Sequence, residues 1–587
     1  MTDDRQVEDD ASRIVVEEAG KSRWSDLIRR EDYWAIWLGF ILIAVAFLTF
    51  LPRPPDGMQD TIDKANATRK QEAASAPYRT VAWYKASEDK KKIKATGESY
   101  AKAITKWLSK PHGWRSNPLD AFVMSDAGAA AKRQEAEAKL ATVKSEADAC
   151  LTRASKADAD AKRAGYKDEQ LNEQARTSIA KWREVKQGAS AAGKKVKSAK
   201  PYNQVPYLIG LCAFLAVLFG VGARFMGQSF GKFAAAFPVV FLIAVLAYLF
   251  EGQATMKEYG IGYAAWAILF GLIISNTVGT PGWLKGAVKT EYYIKTGLVL
   301  LGGEILFGKI VQIGIPGIFV AWVVTPLVLV GTYWFGLKLL KIASKTLNIT
   351  ISSAVSVCGV SAAIATAAAC RAKKEELTLA VGMSLVFTSI MMILMPQTLN
   401  ALGMDHVLGG AWMGGTIDAT GAVAAAGAFL GERALYVAAT IKMIQNVLIG
   451  VIAFCVALYW CAKVDRTEGT RVGAMEIWHR FPKFVIGFII ASIVMSILYQ
   501  SLGADVGYTM IDNGVIRGFT KHFRGWFFCL AFVSIGLESD FRQFKKYLAG
   551  GRTVILYVCG QSLNLILTLA VAYLMFFVIF KEITAKI

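Results

Sequence analysis

The sequence predicts an all-α polytopic membrane protein of about 12 to 13 transmembrane helices, built as an inverted-repeat secondary transporter with two interrupted helices and a helical extramembrane insert. Of its 587 residues, 54% are hydrophobic, and the mean hydropathy is +0.37. Many apolar runs reach about 18 residues, the length that spans a bilayer. Two runs are interrupted by small and polar residues, and paired interruptions of this kind mark the midplane binding site of secondary transporters.

The chain divides into four regions by composition. Residues 1–32 form a charged cytoplasmic leader, 33–51 a transmembrane anchor, 52–205 a soluble insert and 206–587 the transmembrane domain. The anchor has no small-residue cleavage site behind it, so we expect it to be uncleaved. Basic residues just before the anchor place the N-terminus in the cytoplasm, and the insert then lies in the periplasm.

The basic loops that follow alternate as expected for a cytoplasmic N-terminus, with one exception. Arg371, Lys373 and Lys374 would lie outside if the segment 356–369 crossed the membrane. If that segment re-enters instead, they lie inside, and the sequence leaves both alternatives open. A second irregularity is the apolar stretch Trp526–Leu537, which is too short to span the membrane alone.

The insert has the composition of long, solvated helices. It is bounded by prolines, beginning at Pro52 and ending near Pro206, and prolines are typical of boundaries. Between about residues 127 and 200 it consists mainly of Ala, Lys, Glu, Asp and Arg, which favours a helical hairpin or coiled coil. Its tryptophans are expected to form a small bundle core, or alternatively a docking face or lid; they are Trp83, Trp107, Trp114 and Trp182.

The net charge, the cysteines, the histidines and the absence of a phosphate-loop motif argue against several classes of function. The formal net charge is +20, but the excess lies mainly in the insert and in short cytoplasmic loops, so nucleic acid is not an expected partner. The eight cysteines lie mostly in or beside apolar spans and form no disulfide framework. The four histidines are scattered in loops, and the sequence has no G-x-x-x-x-G-K-[ST] phosphate loop. We therefore expect no enzyme activity, no metal site and no cofactor.

The two interruptions supply the candidate substrate ligands. The first reads S-V-C-G-V-S-A-A-I-A-T-A-A-A from Ser356, and the second reads T-I-D-A-T-G-A-V-A-A-A-G-A from Thr416. Half-helices that begin there would present hydroxyls and unpaired amides, and helix N-termini bind oxyanions. The alternative is that these small residues only allow close helix packing. The candidates are Ser356, Gly359, Ser361, Thr416, Thr420 and Gly421.

Three charged residues inside apolar spans are candidates for ion coupling. They are Asp418 in the second interruption, Glu304 in an earlier span and Lys442 in the span that follows. A charge at the centre of a transmembrane helix costs about 2.5–3.5 kcal/mol on insertion scales, so such residues are usually functional. The alternatives are a structural ion pair for the acids and a snorkelling side chain for the lysine.

The membrane domain also shows internal repetition. The segments L-G-G-E-I-L-F from Leu301 and I-G-L-E-S-D-F from Ile535 share the pattern G-x-E-x-x-F, and the two interruptions match loosely as well. Two matches together indicate a duplicated membrane unit, inverted as in many secondary transporters.

Four stretches of the membrane domain carry a family resemblance. They are Ile268–Ile305, V-C-G-V-S-A-A-I-A, W-M-G-G-T-I-D-A-T-G-A-V-A-A-A-G and A-F-V-S-I-G-L-E-S-D-F. In this order and spacing, the chain between residues 206 and 580 resembles a bacterial family of inner-membrane carriers known as sulfate exporters. The resemblance implies a fold akin to sodium–proton antiporters and bile-acid-type symporters, with crossed, interrupted helices.

The chain departs from that family pattern at two candidate positions. It has D-A-T-G-A from Asp418 where the family pattern has His-Asp-Thr-Ser-Gln, and G-G-E ending at Glu304 where the pattern has Gly-Phe-Arg. Loss of an anion-binding arginine and gain of an acid weigh against sulfate itself as the substrate. The large insert is also outside the family pattern.

Together these observations predict a multi-pass secondary carrier of the bacterial inner membrane that works by alternating access. Its expected partners are the lipid bilayer, a small inorganic or organic anion, H⁺ or Na⁺ as the coupling ion, and further copies of itself in a homo-oligomer. One alternative is an anion channel lined by the same interruptions. Another is a sensor whose insert binds a ligand, although the short cytoplasmic segments offer no output domain.

The proline-bounded insert should fold without the membrane domain. Residues 56–200 expressed alone are expected to be soluble and strongly helical by circular dichroism, because their composition favours solvated helices. A largely disordered spectrum would contradict the bundle. In the full chain, a Lys144→Cys variant should react with an impermeant thiol reagent added from the periplasmic side, and labelling from the cytoplasm alone would invert the topology.

Overall fold

The computed structural model describes residues 25–258, 262–305, 307–460, 464, 482–543 and 551–585. Within these ranges the protein is helical almost throughout, and the two short strands are Val123–Met124 (β1) and Tyr202–Asn203 (β2), which pair antiparallel. Among the described residues, eight helices are long and apolar enough to cross a membrane. The predicted all-α polytopic class is therefore confirmed.

The N-terminal part contains the anchor and the insert. The helices are α1 (Asp26–Arg29), α2 (Glu31–Phe50), α3 (Met58–Ser75), α4 (Val81–Lys92), α5 (Ser99–Leu108), α6 (Asp126–Arg163) and α7 (Glu169–Ser198). Helices α6 and α7 pack against each other as a long hairpin. The 38 residues of α6 give it a length of about 57 Å.

The transmembrane domain follows without further strands in its described part. Its first helices are α8 (Val205–Phe225), α9 (Phe230–Gly252), α10 (Ala254–Glu258), α11 (Tyr263–Thr277), α12 (Thr290–Glu304), α13 (Phe307–Trp322) and α14 (Val324–Lys338). Next come α15 (Lys345–Ser356), α16 (Ser361–Ala369), α17 (Lys374–Ala401), α18 (His406–Thr416), α19 (Thr420–Leu430) and α20 (Glu432–Tyr459). The last are α21 (Phe484–Leu502), α22 (Ala504–Gly507), a π-helix (Tyr508–Thr520), α23 (Lys521–Glu538), α24 (Arg552–Tyr573), a second π-helix (Leu574–Ile579) and α25 (Lys581–Thr584).

The first interruption is the tip of a helical hairpin. The Thr366 hydroxyl of α16 donates to the Ser353 hydroxyl of α15 at 2.7 Å, and Ser353 donates to the Ala362 carbonyl at 3.4 Å. In a continuous helix Ser353 and Thr366 would lie about 20 Å apart. Helix α16 therefore runs back along α15, and we call α15–α16 the first hairpin.

The base of the first hairpin resolves the exception to the positive-inside rule. The hydroxyls of Ser344 and Thr346, where α15 begins, both donate to the Glu376 carboxylate, where α17 begins. The chain thus returns to the face from which it entered. Arg371, Lys373 and Lys374 follow the hairpin and lie on the same face as the basic residues that precede it, as a re-entrant segment requires.

The second interruption is the tip of a second hairpin, α18–α19. Leu430, at the end of α19, lies so close to α18 that a Cβ on Gly409 would stand 3.2 Å from its Cδ1. The turn into α20 uses Gly431 with φ +123°, a conformation that favours glycine. The 28 residues of α17 cover about 42 Å between the two hairpin bases, so the hairpins enter from opposite faces.

The transmembrane helices form two bodies. The hairpin body consists of α13 to α20 with α24, and the panel body consists of α2, α8, α9, α11, α12, α21 and α23. Helix α19 is the main contact of the hairpin body with the panel body, where it packs against α11, α12 and α23. A Cβ on Gly421 of α19 would lie 3.4 Å from Ile535 of α23 and 3.7 Å from Thr290 of α12.

The insert packs on the end of the panel body at which α9 ends and α23 begins. The Trp114 amide donates to the Gly252 carbonyl at 3.1 Å, and the Trp526 indole donates to the Leu108 carbonyl at 3.0 Å. Trp182 is 1% exposed within the α4–α6–α7 core, as expected of a bundle. Trp107, by contrast, stacks edge-on against Tyr207 of α8, so part of the predicted core is a docking contact.

The re-entrant first hairpin makes a topology prediction. Cysteines at Lys341 and Lys374 should be labelled by an impermeant reagent from the same face, because the hairpin between them returns to its point of entry. A cysteine at Asn400, at the other end of α17, should be labelled from the opposite face. Labelling of Lys341→Cys and Lys374→Cys from opposite faces would show that 345–369 crosses the membrane.

Candidate functional site

The two hairpin tips touch at the centre of the hairpin body. The Gly359 amide in the first tip donates to the Asp418 carbonyl in the second at 2.8 Å. Ser384 of α17 leaves no room beside them, since a Cβ on Gly359 would stand 1.4 Å from its hydroxyl oxygen. This position therefore needs glycine for close approach.

Gln445 of α20 satisfies carbonyl groups from both hairpins. Its side-chain amide donates to the Ser356 carbonyl and to the Gly415 carbonyl, each at 3.1 Å. These carbonyls end α15 and α18 and have no partner within their own helices. An unpaired carbonyl in an apolar interior costs several kcal/mol, so this glutamine stabilises both breaks.

Helix α24 supplies a second set of side-chain amides to the same carbonyls. Gln561 donates to the Thr416 carbonyl at 3.0 Å, and Asn564 donates to the Val355 carbonyl at 3.0 Å. The C-terminal ends of α15 and α18 are thus held from two sides, by α20 and by α24.

Lys442 brings a positive charge to these C-terminal ends. It is fully buried, and its ammonium donates to the Val357 carbonyl at 2.5 Å and to the Gln445 side chain at 2.7 Å. Helix C-termini carry partial negative charge, so a cation is stabilised there. The placement explains why a lysine is tolerated within α20.

Asp418 brings the complementary negative charge. It lies in the second tip, just before α19, and is 1% exposed. Its carboxylate accepts a hydrogen bond from the Tyr557 hydroxyl of α24, and its carbonyl accepts from Gly359. The N-termini of α16 and α19 meet at this point, and helix N-termini stabilise anionic groups.

A cavity of about 830 Å³ reaches the tips from the face that carries the basic loops. It lies between the two bodies, and its inner end is lined by Cys358, Ser361, Thr420, Gly421 and Asn446. The Asn446 side-chain amide donates to the Thr420 hydroxyl at 3.1 Å. The N-terminal turns of α16 and α19 therefore open into the cavity, whereas Asp418 and Lys442 lie behind its wall.

Charged residues of the panel body surround the mouth of this cavity. Lys295 pairs with Glu31 and with Asp32, each at 2.9 Å. Lys483 lines the same mouth, and burial lowers its pKa to about 8, with the Asp32 carboxylate opposing the shift and Arg30 adding to it. The mouth thus mixes both signs of charge and includes an amine that titrates near physiological pH.

Glu304 lies at the other end of the molecule. Its carboxylate accepts from the Arg524 guanidinium of α23 at 2.7 Å, and both side chains are almost completely buried. Glu304 lines a second cavity of about 530 Å³, about 21 Å along α12 from Thr290 at the first cavity. The structure does not bring Glu304 to the hairpin tips.

The predicted site residues fall into three groups. Ser361, Thr420 and Gly421 line the cavity. Gly359, Asp418 and Lys442 hold the tips together behind it, and Ser356 and Thr416 contribute carbonyls at the helix breaks. Glu304 is separate.

Sequence reasoning missed the polar side chains that support the tips. The missed residues are Gln445, Asn446, Tyr557, Gln561 and Asn564. Tyr557, Gln561 and Asn564 follow one another by four and three positions on α24, and Gln445 and Asn446 follow Lys442 by three and four positions on α20. Amides with this spacing inside an apolar helix are the signal that could have identified them.

Comparison with known proteins places the chain in a family. A model of the family described as conserved hypothetical protein 698 matches residues 236–557, which include both hairpins and the polar face of α20. The chain belongs to this family. No solved structure matches the chain.

Three curated relatives of the chain are named as membrane proteins. A "UPF0324 membrane protein" of Nitratidesulfovibrio vulgaris is 55% identical over 98% of this chain and 99% of its own length. The "UPF0324 membrane protein RB9488" of Rhodopirellula baltica is 44% identical over 100% and 96%. The "UPF0324 membrane protein NE0724" of Nitrosomonas europaea is 31% identical over 54% and 71%. The first two matches are long enough to include the insert.

The cavity-lining positions should tolerate methyl groups but not bulk. A Cβ on Gly421 makes ordinary contact, 3.4 Å from Ile535, so Gly421→Ala should keep ligand binding. Trp at Ser361 or Gly421 would fill the cavity and should abolish ligand-induced thermal stabilisation, which is about 2.7 kcal/mol at 100 times Kd. The measurement is the Tm of purified protein across a panel of small anions. Retained stabilisation in both Trp variants would mean that these residues only pack helices.

Proposed function

We propose that the protein is a secondary active transporter of the bacterial inner membrane, a small-anion exporter that works by alternating access. The observation that carries the proposal is the meeting of two opposed hairpin tips, Gly359 to Asp418, at the inner end of a cavity between two bodies. Paired breaks at mid-depth are the usual construction of a carrier's binding site.

The chemistry of the inner end of the cavity favours an anion. The N-termini of α16 and α19 supply amide groups and partial positive charge, and Ser361 and Thr420 supply hydroxyls. Lys442 lies behind the tips and adds its charge to the local field. A small oxyanion such as sulfate belongs to the class that such a site binds, as do small carboxylates.

The packing between the bodies favours a carrier over a continuous pore. Beyond the inner end of the cavity, Ile294 and Leu298 of α12 and Ala426 of α19 are buried. The second cavity lies on the far side of this packed zone, between Glu432 of the hairpin body and α23. Movement of the hairpin body relative to the panel body would close the first cavity and extend the second to the tips.

The orientation supports export. The cavity opens on the face with the basic loops, which is the cytoplasmic face under the positive-inside rule. An anion would therefore load from the cytoplasm in the conformation described here. The coupling ion would be H⁺ or Na⁺, with Asp418 as its binding group, because this carboxylate is buried where the two tips join.

Purified protein in liposomes tests the proposal through Asp418→Asn. The amide keeps the shape and can accept from Tyr557, so folding should be spared, but it cannot ionise. Anion uptake should persist or slow while its dependence on a pH or sodium gradient is lost. Glu304→Gln is the comparison, with its Tm measured alongside because the variant removes one carboxylate from the buried Arg524. It should keep the ion dependence, because Glu304 lies about 21 Å away along α12.

Two results would count against this assignment. Unchanged ion dependence in Asp418→Asn would move the coupling role to Glu304 or leave the carrier uncoupled. Anion flux far above carrier turnover, without gradient coupling in the unmodified protein, would favour the channel.

A further inference from the structure

The second cavity contains an ion network that crosses from one body to the other. Glu432 is the first residue of α20 in the hairpin body, and it pairs with Lys521 at 2.6 Å and with Arg524 at 3.5 Å, both on α23 of the panel body. Arg524 also pairs with Glu304 at the end of α12. We call these four residues the outer network.

The outer network lies where the bodies would have to separate. Glu432 follows directly on Gly431, the turn that joins the second hairpin to α20. Any displacement that extends the second cavity toward the tips must move this turn away from α23. The pairs of Glu432 with Lys521 and Arg524 would then break, while the pair of Arg524 with Glu304, both in the panel body, would remain.

We propose that the outer network is a latch that holds the outer side of the carrier closed in the cytoplasm-facing conformation. This inference rests on the two-body carrier proposed above and adds the interaction that sets its resting state. Within the panel body the Arg524–Glu304 ion pair is buried, and it fixes the position of the guanidinium. The ion pair that joins the two bodies, Glu432 with Lys521, is weaker because both side chains are partly exposed.

A weak ion pair between the two bodies suits a carrier in which this pair must break in every transport cycle. An exposed ion pair contributes up to about 1 kcal/mol, which changes an equilibrium about fivefold. Loss of the crossing pair should therefore shift the population of conformations without unfolding the protein. Arg524 and Glu304 are poor sites for the test, because removal of either leaves a buried charge.

The same cavity contains a matched control. Arg517 and Asp512 form an ion pair at 3.1 Å, and both residues line the second cavity. They belong to the π-helix Tyr508–Thr520, which precedes α23 and packs on the panel body, so their pair does not cross between the bodies. Asp512→Asn removes a carboxylate from the same cavity while leaving the proposed latch intact.

Accessibility of the first tip provides the readout. Ser361→Cys is near-isosteric, lines the first cavity and would be the sole cysteine of a variant whose eight native cysteines are replaced. An impermeant thiol reagent is applied to right-side-out and to inside-out membranes. The parent should react from the cytoplasmic side.

Glu432→Gln and Lys521→Gln should each raise labelling from the outside about two- to fivefold. The Asp512→Asn variant should match the parent. Unchanged outside labelling in both single variants, or an equal rise in Asp512→Asn, would overturn the latch. Equal labelling of the parent from both sides would instead overturn the carrier, so the two failures are distinguishable.

Discussion

The structure depends on how the ends of four half-helices are stabilised inside an apolar interior. Each hairpin tip leaves amide and carbonyl groups that a continuous helix would have paired, and lipid offers them no partner. The two tips solve part of the problem together, through the Gly359–Asp418 contact. The carbonyl ends are bonded by Gln445, Gln561 and Asn564. The amide ends of α16 and α19 face the cavity instead, and the proposed binding site rests on this asymmetry.

The same arrangement accounts for the two buried charges nearest the tips. Opposed hairpins bring two helix C-termini together and two helix N-termini together, so the local field has a negative and a positive side. Lys442 lies on the first and Asp418 on the second. Either charge alone would cost about 2.5–3.5 kcal/mol at mid-membrane. Placed at helix ends of opposite sign, each is stabilised by the hairpin geometry.

Much of this could be predicted from the sequence, because the relevant signals are local. Small and polar residues inside apolar runs identified both breaks, and Asp418 and Lys442 stood out as charges in spans. The direction of the chain after each break could not be predicted, since it depends on contacts such as Ser353 with Thr366. The basic cluster at Arg371 carried the one sequence signal for re-entry. The amides on α20 and α24 were missed because an uncharged side chain in a span attracts less attention than a charge.

Glu304 was recognised in the sequence as a charge inside a span, but its ion-pair partner Arg524 was not. The apolar stretch visible in the sequence began at Trp526, so Arg524 appeared to lie in a loop; the helix begins at Lys521 and includes it. A charge within an apolar span therefore did not distinguish Asp418, at a hairpin tip, from Glu304, which pairs with a residue of another helix. The distinction needed the fold, which pairs Glu304 with Arg524 at the C-terminal end of α12.

The insert is attached to the panel body. Leu108 is bonded by Trp526 of α23, Trp114 joins the end of α9, and Lys90 pairs with Asp505 after α21. Each of these contacts is with the panel body or with α22, which follows α21. In the carrier proposed above, the panel body would therefore hold the insert, and the hairpin body, which contacts the panel body mainly through α19 and the outer network, would be the part that moves.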